Sequence, residues 1–335
     1  MRLRALLARA ATTVVASALC GAAAAADPSV AWSAPTVRVF GGSTQDTDDV
    51  MLRLRGLEIE ALAFGAVRLG VLAEHVQMDD PASSGTAQGL ALRALWQPAP
   101  AIQLEGLAGG VRLAPGAGAA TDRLQAALRL RWRSPDSKAA TELRLTRRPL
   151  LASPALLLGP VDLTELRAAF TAPLAGPFLA RARLQHGVLE DSRQNNQRTG
   201  YELAGLLQPT PSTEVGLTYL ELGYRRKAQS AYSAPRRLHG VELATFGEWG
   251  TGPLSLTLDA GIGRQQVARH DEAAPRGWTK SLRLLASLSW RVASETDLAL
   301  SYERYDSPVG GNGSIAGSMW SSKSMALSLR TALGR

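Results

Sequence analysis

The sequence predicts an all-β protein: a single transmembrane antiparallel up-and-down β-barrel of about sixteen strands, with about fourteen as the alternative. Three observations carry this. Apolar and polar residues alternate with a period of two through most of the chain. Clusters of Gly, Pro, Asp, Asn and Ser interrupt the alternation, short breaks (QPAP, SPDS, GTGP) trading places with longer ones (KAQSAYSAPR, HDEAAPRG, SPVGGNGSIAGSM). Beyond the first 26 residues, no segment approaches the roughly 18 continuous apolar residues of a membrane helix.

The opening stretch, MRLRALLARAATTVVASALCGAAAAA, sets arginines at 2, 4 and 9 before an apolar run and ends on small residues. That is the three-part pattern of a secretory signal peptide over 1–26, cleaved after Ala26, which leaves 27–335 as one outer-membrane barrel domain. Cys20, the one cysteine of the chain, lies inside the signal behind Leu19, where a lipoprotein signal needs a small residue. The mature chain then offers no thiol for a disulfide, a metal site or a nucleophile. The 335 residues carry a formal charge of +8. The basic residues are nearly all arginine, with lysine only at 138, 227, 280 and 323. In an exported protein such a balance points to anionic lipid or polysaccharide and away from nucleic acid.

Strand-like segments start near 35, 50, 66, 86, 101, 121, 138, 161, 177, 197, 213, 236, 252, 278, 294 and 321. Successive side chains of a strand point to opposite faces, so each segment is a ribbon with one apolar edge and one small or polar edge. The sixth sets Leu124, Ala126, Leu128, Leu130 and Trp132 against Arg129, Arg131 and Arg133. The ninth sets Phe178, Ala180, Ala182 and Leu184 against Leu179, Arg181, Arg183 and Gln185. In the thirteenth, Leu254 to Ile262 alternate with Ser255, Thr257, Asp259 and Gly261. In the fourteenth, Leu282 to Val292 alternate with Arg283, Leu285, Ser287, Ser289 and Arg291. Leu298, Leu300 and Tyr302, then Met325, Leu327 and Leu329, repeat the pattern to the end. Three stretches break it. Parity changes near Leu57 within 50–64, LLASPALLLGP (150–160) has no clean alternation, and the phase shifts at Tyr219-Leu220, where a bulge would re-aim the side chains.

Alternation alone also suits a soluble sandwich. The number of amphipathic strands, the small or arginine-bearing polar faces and the export signal favour a closed sheet in lipid, where every backbone group must find a partner. Trp96, Trp132, Trp249 and Trp290 sit near segment ends on the apolar parity, as an interfacial girdle requires. An arginine at the lipid-facing midplane costs roughly 2–4 kcal/mol, so the arginine edges must face a wet interior. The expected lumen-lining set is Arg129, Arg131, Arg133, Arg144, Arg148, Arg181, Arg183, Arg283 and Arg291.

Several stretches carry a resemblance. RTGYELAGLLQPTPSTEVGLTYLELGYR (198–225), SAYSAPRRLHGVELATFGEW (230–249) and SLRLLASLSWRVASETDLALSYERYDS (281–307) resemble paired strands, a Tyr-x-x-Pro loop and a penultimate hairpin of bacterial exopolysaccharide-export porins, the group serving cellulose and poly-N-acetylglucosamine secretion. The resemblance implies passage of a polysaccharide. It also implies a partner scaffold or synthase complex, since the long helical-repeat scaffold usual in that group is not seen ahead of the alternation.

An enzymatic reading has less to stand on. Outer-membrane lipases and deacylases use a His–Ser pair on the outer wall, and here His186 with Ser192, or His239 with Ser233, are the candidates, without a marking spacing. Glu58 and Glu60 share a strand face and are better read as answering lumen arginines, while Asp79 and Asp80 read as a turn. No H-E-x-x-H, phosphate-binding glycine loop or metal cluster occurs, so no catalytic residue, cofactor or metal is assigned. Rings of arginine suit anion pores. The expectation is an outer-membrane, porin-like channel for a polar, anionic polysaccharide or solute. A lipid-modifying barrel enzyme and a non-conducting structural or adhesive barrel are the alternatives.

Overall fold

A sheet of amphipathic strands can satisfy its backbone in a bilayer only by closing on itself. In the computed structural model, which describes residues 35–64, 66–135, 137–229, 231–308 and 320–333, it does so. The expected signal over 1–26 lies outside the described residues. The strands are β1 (Thr36–Asp46), β2 (Met51–Phe64), β3 (Val67–Asp79), β4 (Ser84–Ala99), β5 (Ile102–Pro115), β6 (Thr121–Arg133), β7 (Ala140–Pro149) and β8 (Asp162–Pro173). They continue as β9 (Phe178–Glu190), β10 (Asn195–Thr210), β11 (Thr213–Tyr224), β12 (Arg237–Thr251), β13 (Leu254–Ala268), β14 (Thr279–Ala293), β15 (Thr296–Ser307) and β16 (Trp320–Ala332). Each pairs antiparallel with its sequence neighbours, and β1 closes on β16 from Thr36↔Ala332 to Asp46↔Ser322. No strand starts more than two residues from the place its alternation predicts. The single described helical turn, α1 (Ala155–Leu158), belongs to the β7–β8 connection.

The termini and the short connections share one end, the turn end, which faces the periplasm in barrels of this kind. The longer connections share the other, the loop end. Cross-strand register carries one parity round the cylinder. Leu254↔Trp290, Leu256↔Leu288, Leu288↔Leu300 and Leu300↔Leu327 are pairs on one face, and Gln103↔Arg131 and Glu105↔Arg129 are pairs on the other. The first face is outward. Leu90, Leu217 and Ile262 are each about 60 % exposed there, and with their neighbours they form an apolar belt that only lipid can cover. Trp96, Trp132, Trp249 and Trp290 ring the turn-end margin of this belt, each at least 40 % exposed. Trp249 lies over Gly247, where an added Cβ would clash with the indole.

The three stretches without clean alternation share one cause. Near the loop end the polarity of the wall inverts. β2 turns Leu52 and Leu54 inward and Arg53 and Arg55 outward, while nearer the turn end it turns Leu57 and Ile59 outward and Glu58 and Glu60 inward. The backbone register from Met51 to Glu60 against β1 is unbroken, so the chemistry changes face and the strand does not. β11 behaves likewise. Its register runs without interruption from Thr213 to Leu222 against β12, so the bulge expected at Tyr219-Leu220 is absent. Instead Tyr219 and Glu221 face outward and Leu220 and Leu222 inward.

What Leu52 and Leu222 meet is the β7–β8 connection. It is pinched at its base by Leu150 N–H donating to the Val161 carbonyl at 2.8 Å and folds into the loop end of the lumen. Leu157 packs with Met78, Ala87, Val111 and Leu113 on the inner faces of β3, β4 and β5, against Leu52 and Val76. Leu156 packs with Val161, Leu163, Leu189, Tyr224 and Tyr232, beside Leu222. Both leucines are 1 % exposed. The apolar run at 150–160 is therefore a plug that gives the barrel an apolar core at one end.

Candidate functional site

Below the plug the lumen is wet and charged. A cavity of about 630 Å³ is lined by Arg131 and Arg133 of β6, Glu142 of β7, Arg181 and Arg183 of β9, Phe246 of β12 and Asp259 of β13. A second, of about 430 Å³, adjoins it along Arg167, Arg183, Glu202 and Tyr305. A third, of about 480 Å³, lies between Arg38, Glu58, Glu74, Arg93 and Glu105 on one side and Ser287, Ser301 and Ser328 on the other. Residues from strands so far apart round the sheet can share a cavity only across the interior.

The expected arginines divide by partner. Arg129 and Arg131 share a single carboxylate, donating to Glu142 at 2.7 and 3.2 Å. Arg181 donates to Glu214 at 2.7 Å and Arg183 to Glu202 at 3.0 Å. Arg283 donates to Asp259 at 2.6 Å with Glu242 at 3.7 Å, and Arg291 stands 3.7 Å from Asp297. Arg133, Arg144 and Arg148 form no ion pair among the described residues. Arg129, Arg131, Arg133, Arg144, Arg148, Arg181 and Arg183 lie together on the β6–β9 wall, whereas Arg283 and Arg291 lie apart on β14, each beside an acid.

Inward carboxylates gather on the strands that follow. Glu202, Glu214, Glu242, Asp259, Asp297 and Glu303 take the inward parity on β10 to β15. Inward arginines thus concentrate on β6–β9 and inward carboxylates on β10–β15, where Glu202 and Glu214 stand directly beside the β9 arginines and Arg283 and Arg291 sit among the acids.

A second ion-pair group was not singled out from sequence. Arg93 bonds Glu58 and donates to Glu105 at 2.9 Å, with Glu60 at 3.6 Å. Arg38 lies 3.5 Å from Glu58, while Arg68 and Arg330 approach Glu60 at 3.9 and 3.7 Å. Glu58 and Glu60 therefore answer lumen arginines. Arg167 and Arg198, both on Glu165, also belong to the interior. The signal for Arg93, Arg167 and Arg198 was present: each lies on the parity opposite its strand's outward leucines. It was diluted because each stands alone on its strand, not in a row.

The histidine–serine pairs do not assemble. His186 Nδ1 is 3.1 Å from Thr199 Oγ1, and His239 packs edge-on against Trp278 at 5.1 Å between ring centres. Neither histidine hydrogen-bonds Ser192 or Ser233 among the described residues. No group of three or more metal-ligating side chains occurs among the described residues.

No family model matches the chain, and no curated protein does. Solved structures do. A bacterial polysaccharide outer membrane secretin aligns with a TM-score of 0.64 at 12 % identity, over 90 % of this chain and 99 % of that one. Pseudomonas aeruginosa OccD3 (OpdP) aligns with a TM-score of 0.46 at 10 % identity, over 93 % and 98 % of the two chains. Pseudomonas aeruginosa OccK5 (OpdH) aligns at 0.45 and 8 % identity, over 90 % and 98 %. The resemblance to export-type porins holds at the level of fold. With its closed sheet and lipid-facing belt, the chain is an outer-membrane β-barrel.

Proposed function

We propose that this barrel is a channel for a polar, anionic polysaccharide or solute, which moves along the arginine wall of β6–β9. The observation that carries the reading is the cavity of about 630 Å³ in which Arg131, Arg133, Arg181 and Arg183 converge. Among the described residues Arg133 has no carboxylate to hold it, and Arg129 and Arg131 divide one between them. Such guanidiniums can exchange partners with a passing carboxylate, phosphate or sugar hydroxyl through their planar forks. Water still reaches these half-buried pairs, and ion pairs open to water are worth only about 0.2–1 kcal/mol, so the native partners hold the arginines loosely.

The carboxylates of β10–β15 keep an anion close to β6–β9 and orient it. The shared fold with a polysaccharide outer membrane secretin supports a polymer as cargo. The plug narrows the loop end, so transit requires α1 to move. A driving force would come from a partner complex, because no nucleotide-binding motif is present. Planar-bilayer recording tests the reading. The protein should conduct with anion preference, and replacing Arg129, Arg131 and Arg133 together with Ser should reduce that preference. Cation selectivity in the unaltered protein would refute it.

A further inference from the structure

On the outer wall, near the loop end, a groove of about 680 Å³ runs between β12, β13, β14 and the end of β15. Its floor is apolar, built by Val241, Leu243, Ile262 and Leu282, and its upper end carries Arg264 and Lys280. These two cations are direct cross-strand partners in the β13–β14 register, and both side chains are exposed on the outward parity. Like charges placed directly opposite destabilise a sheet. Among the described residues neither forms an ion pair or a side-chain hydrogen bond.

Some other outward cations near this level hold an acid. Arg147 donates to Asp162 at 3.0 Å, Arg237 to Glu221 at 2.8 Å and Arg304 to Asp306 at 2.9 Å. Asp306 also lines the groove, but its oxygens are taken by Arg304 and by Ser321 at 2.6 Å, so it does not neutralise Arg264 or Lys280. The height is informative too. From Leu254 at the turn end to Arg264 the strand rises about 3.3 Å per residue at a tilt near 40°, which places Arg264 roughly 25 Å above the lower margin, the height of the apolar band itself. Lys280 stands at the same distance along β14 from Trp290. Both cations therefore lie where hydrocarbon gives way to headgroups.

We infer that this groove binds a phosphorylated, acylated lipid of the loop-side leaflet. An acyl chain would lie along Val241, Leu243, Ile262 and Leu282, and the phosphate would bridge Arg264 and Lys280. A phosphate between the two turns a repulsive cross-strand pair into two charge-assisted hydrogen bonds. The bilayer supplies such amphiphiles at the position of the groove, and charge complementarity selects the phosphorylated ones.

Native mass spectrometry of the detergent-purified full chain, with bisphosphorylated lipid A as the probe, tests the site. The unaltered protein should retain one lipid at low lipid-to-protein ratio. Arg264→Gln with Lys280→Gln should lower retention by roughly tenfold per cation removed, as loss of one charge-assisted bond implies. The exchange Arg264→Lys with Lys280→Arg should keep it. Dephosphorylated lipid A should bind as weakly to the unaltered protein as lipid A does to the double Gln variant. Inorganic phosphate should not displace the lipid at equal concentration; displacement would mark a free-anion site and overturn the lipid assignment. Equal retention by the unaltered protein and the Gln variant would also overturn it. Heat-modifiable electrophoretic mobility reports whether the variants fold. Should the double variant fail to do so, Lys280→Gln alone decides by the same spectrum.

Discussion

Individual side chains in this barrel are governed by which of two solvents they meet. Ala286 and Ser287 are adjacent on β14, yet the first pairs with Tyr302 on the lipid face and the second lines an interior cavity. Ala286→Arg should therefore destabilise the folded protein by about 2–4 kcal/mol, whereas Ser287→Arg should be close to neutral. Denaturant titration in lipid vesicles measures both. In the arginine wall, Glu142 holds Arg129 and Arg131 at once. Glu142→Gln should release both guanidiniums and raise anion selectivity, read as a shift of reversal potential in a salt gradient. The placement of Arg129, Arg131 and Arg133 followed from parity with Leu124 to Trp132. Their unequal pairing did not, because Glu142 comes from the next strand and register decides which arginines it reaches.

Among the elements, the β7–β8 connection departs furthest from barrel routine. Leucines there would be wasted in an exposed loop, and inward Leu52 of β2 and Leu222 of β11 would be wasted against water. Each accounts for the other. Leu157→Asp would put an unpaired charge among Met78, Val111 and Leu113, so α1 should leave the lumen. Single-channel conductance should rise while the heat-resistant barrel persists. Loops near the plug are tied by Lys227, which donates to Asp271 at 2.8 Å. The hydrogen bond from Lys227 keeps the Asp271 carboxyl below the usual carboxylate range. Its contribution is present above the ordinary aspartate pKa and is lost as pH falls through the lowered value. Conductance should therefore show no step from this contact between neutral pH and the ordinary carboxylate range, and a step only below it; a pH series of bilayer recordings checks this.

At the scale of the whole molecule, closure of β1 on β16 removes every sheet edge and leaves an apolar outer belt. The purified chain should require detergent to stay in solution and should migrate faster on electrophoresis before boiling than after; a monodisperse, detergent-free monomer in sedimentation would contradict the architecture. Strand number, strand boundaries, the lipid-facing edge and the turn-end tryptophan girdle were all legible in the linear sequence, because period-two alternation and turn chemistry are local and repeat at every strand. The plug, the inversion of wall polarity near the loop end, the second ion-pair group round Arg93 and the opposed cations Arg264 and Lys280 were decided only by tertiary structure. Each depends on which residues the closed register brings face to face across the lumen or side by side on neighbouring strands, and alternation along a single strand holds no record of that.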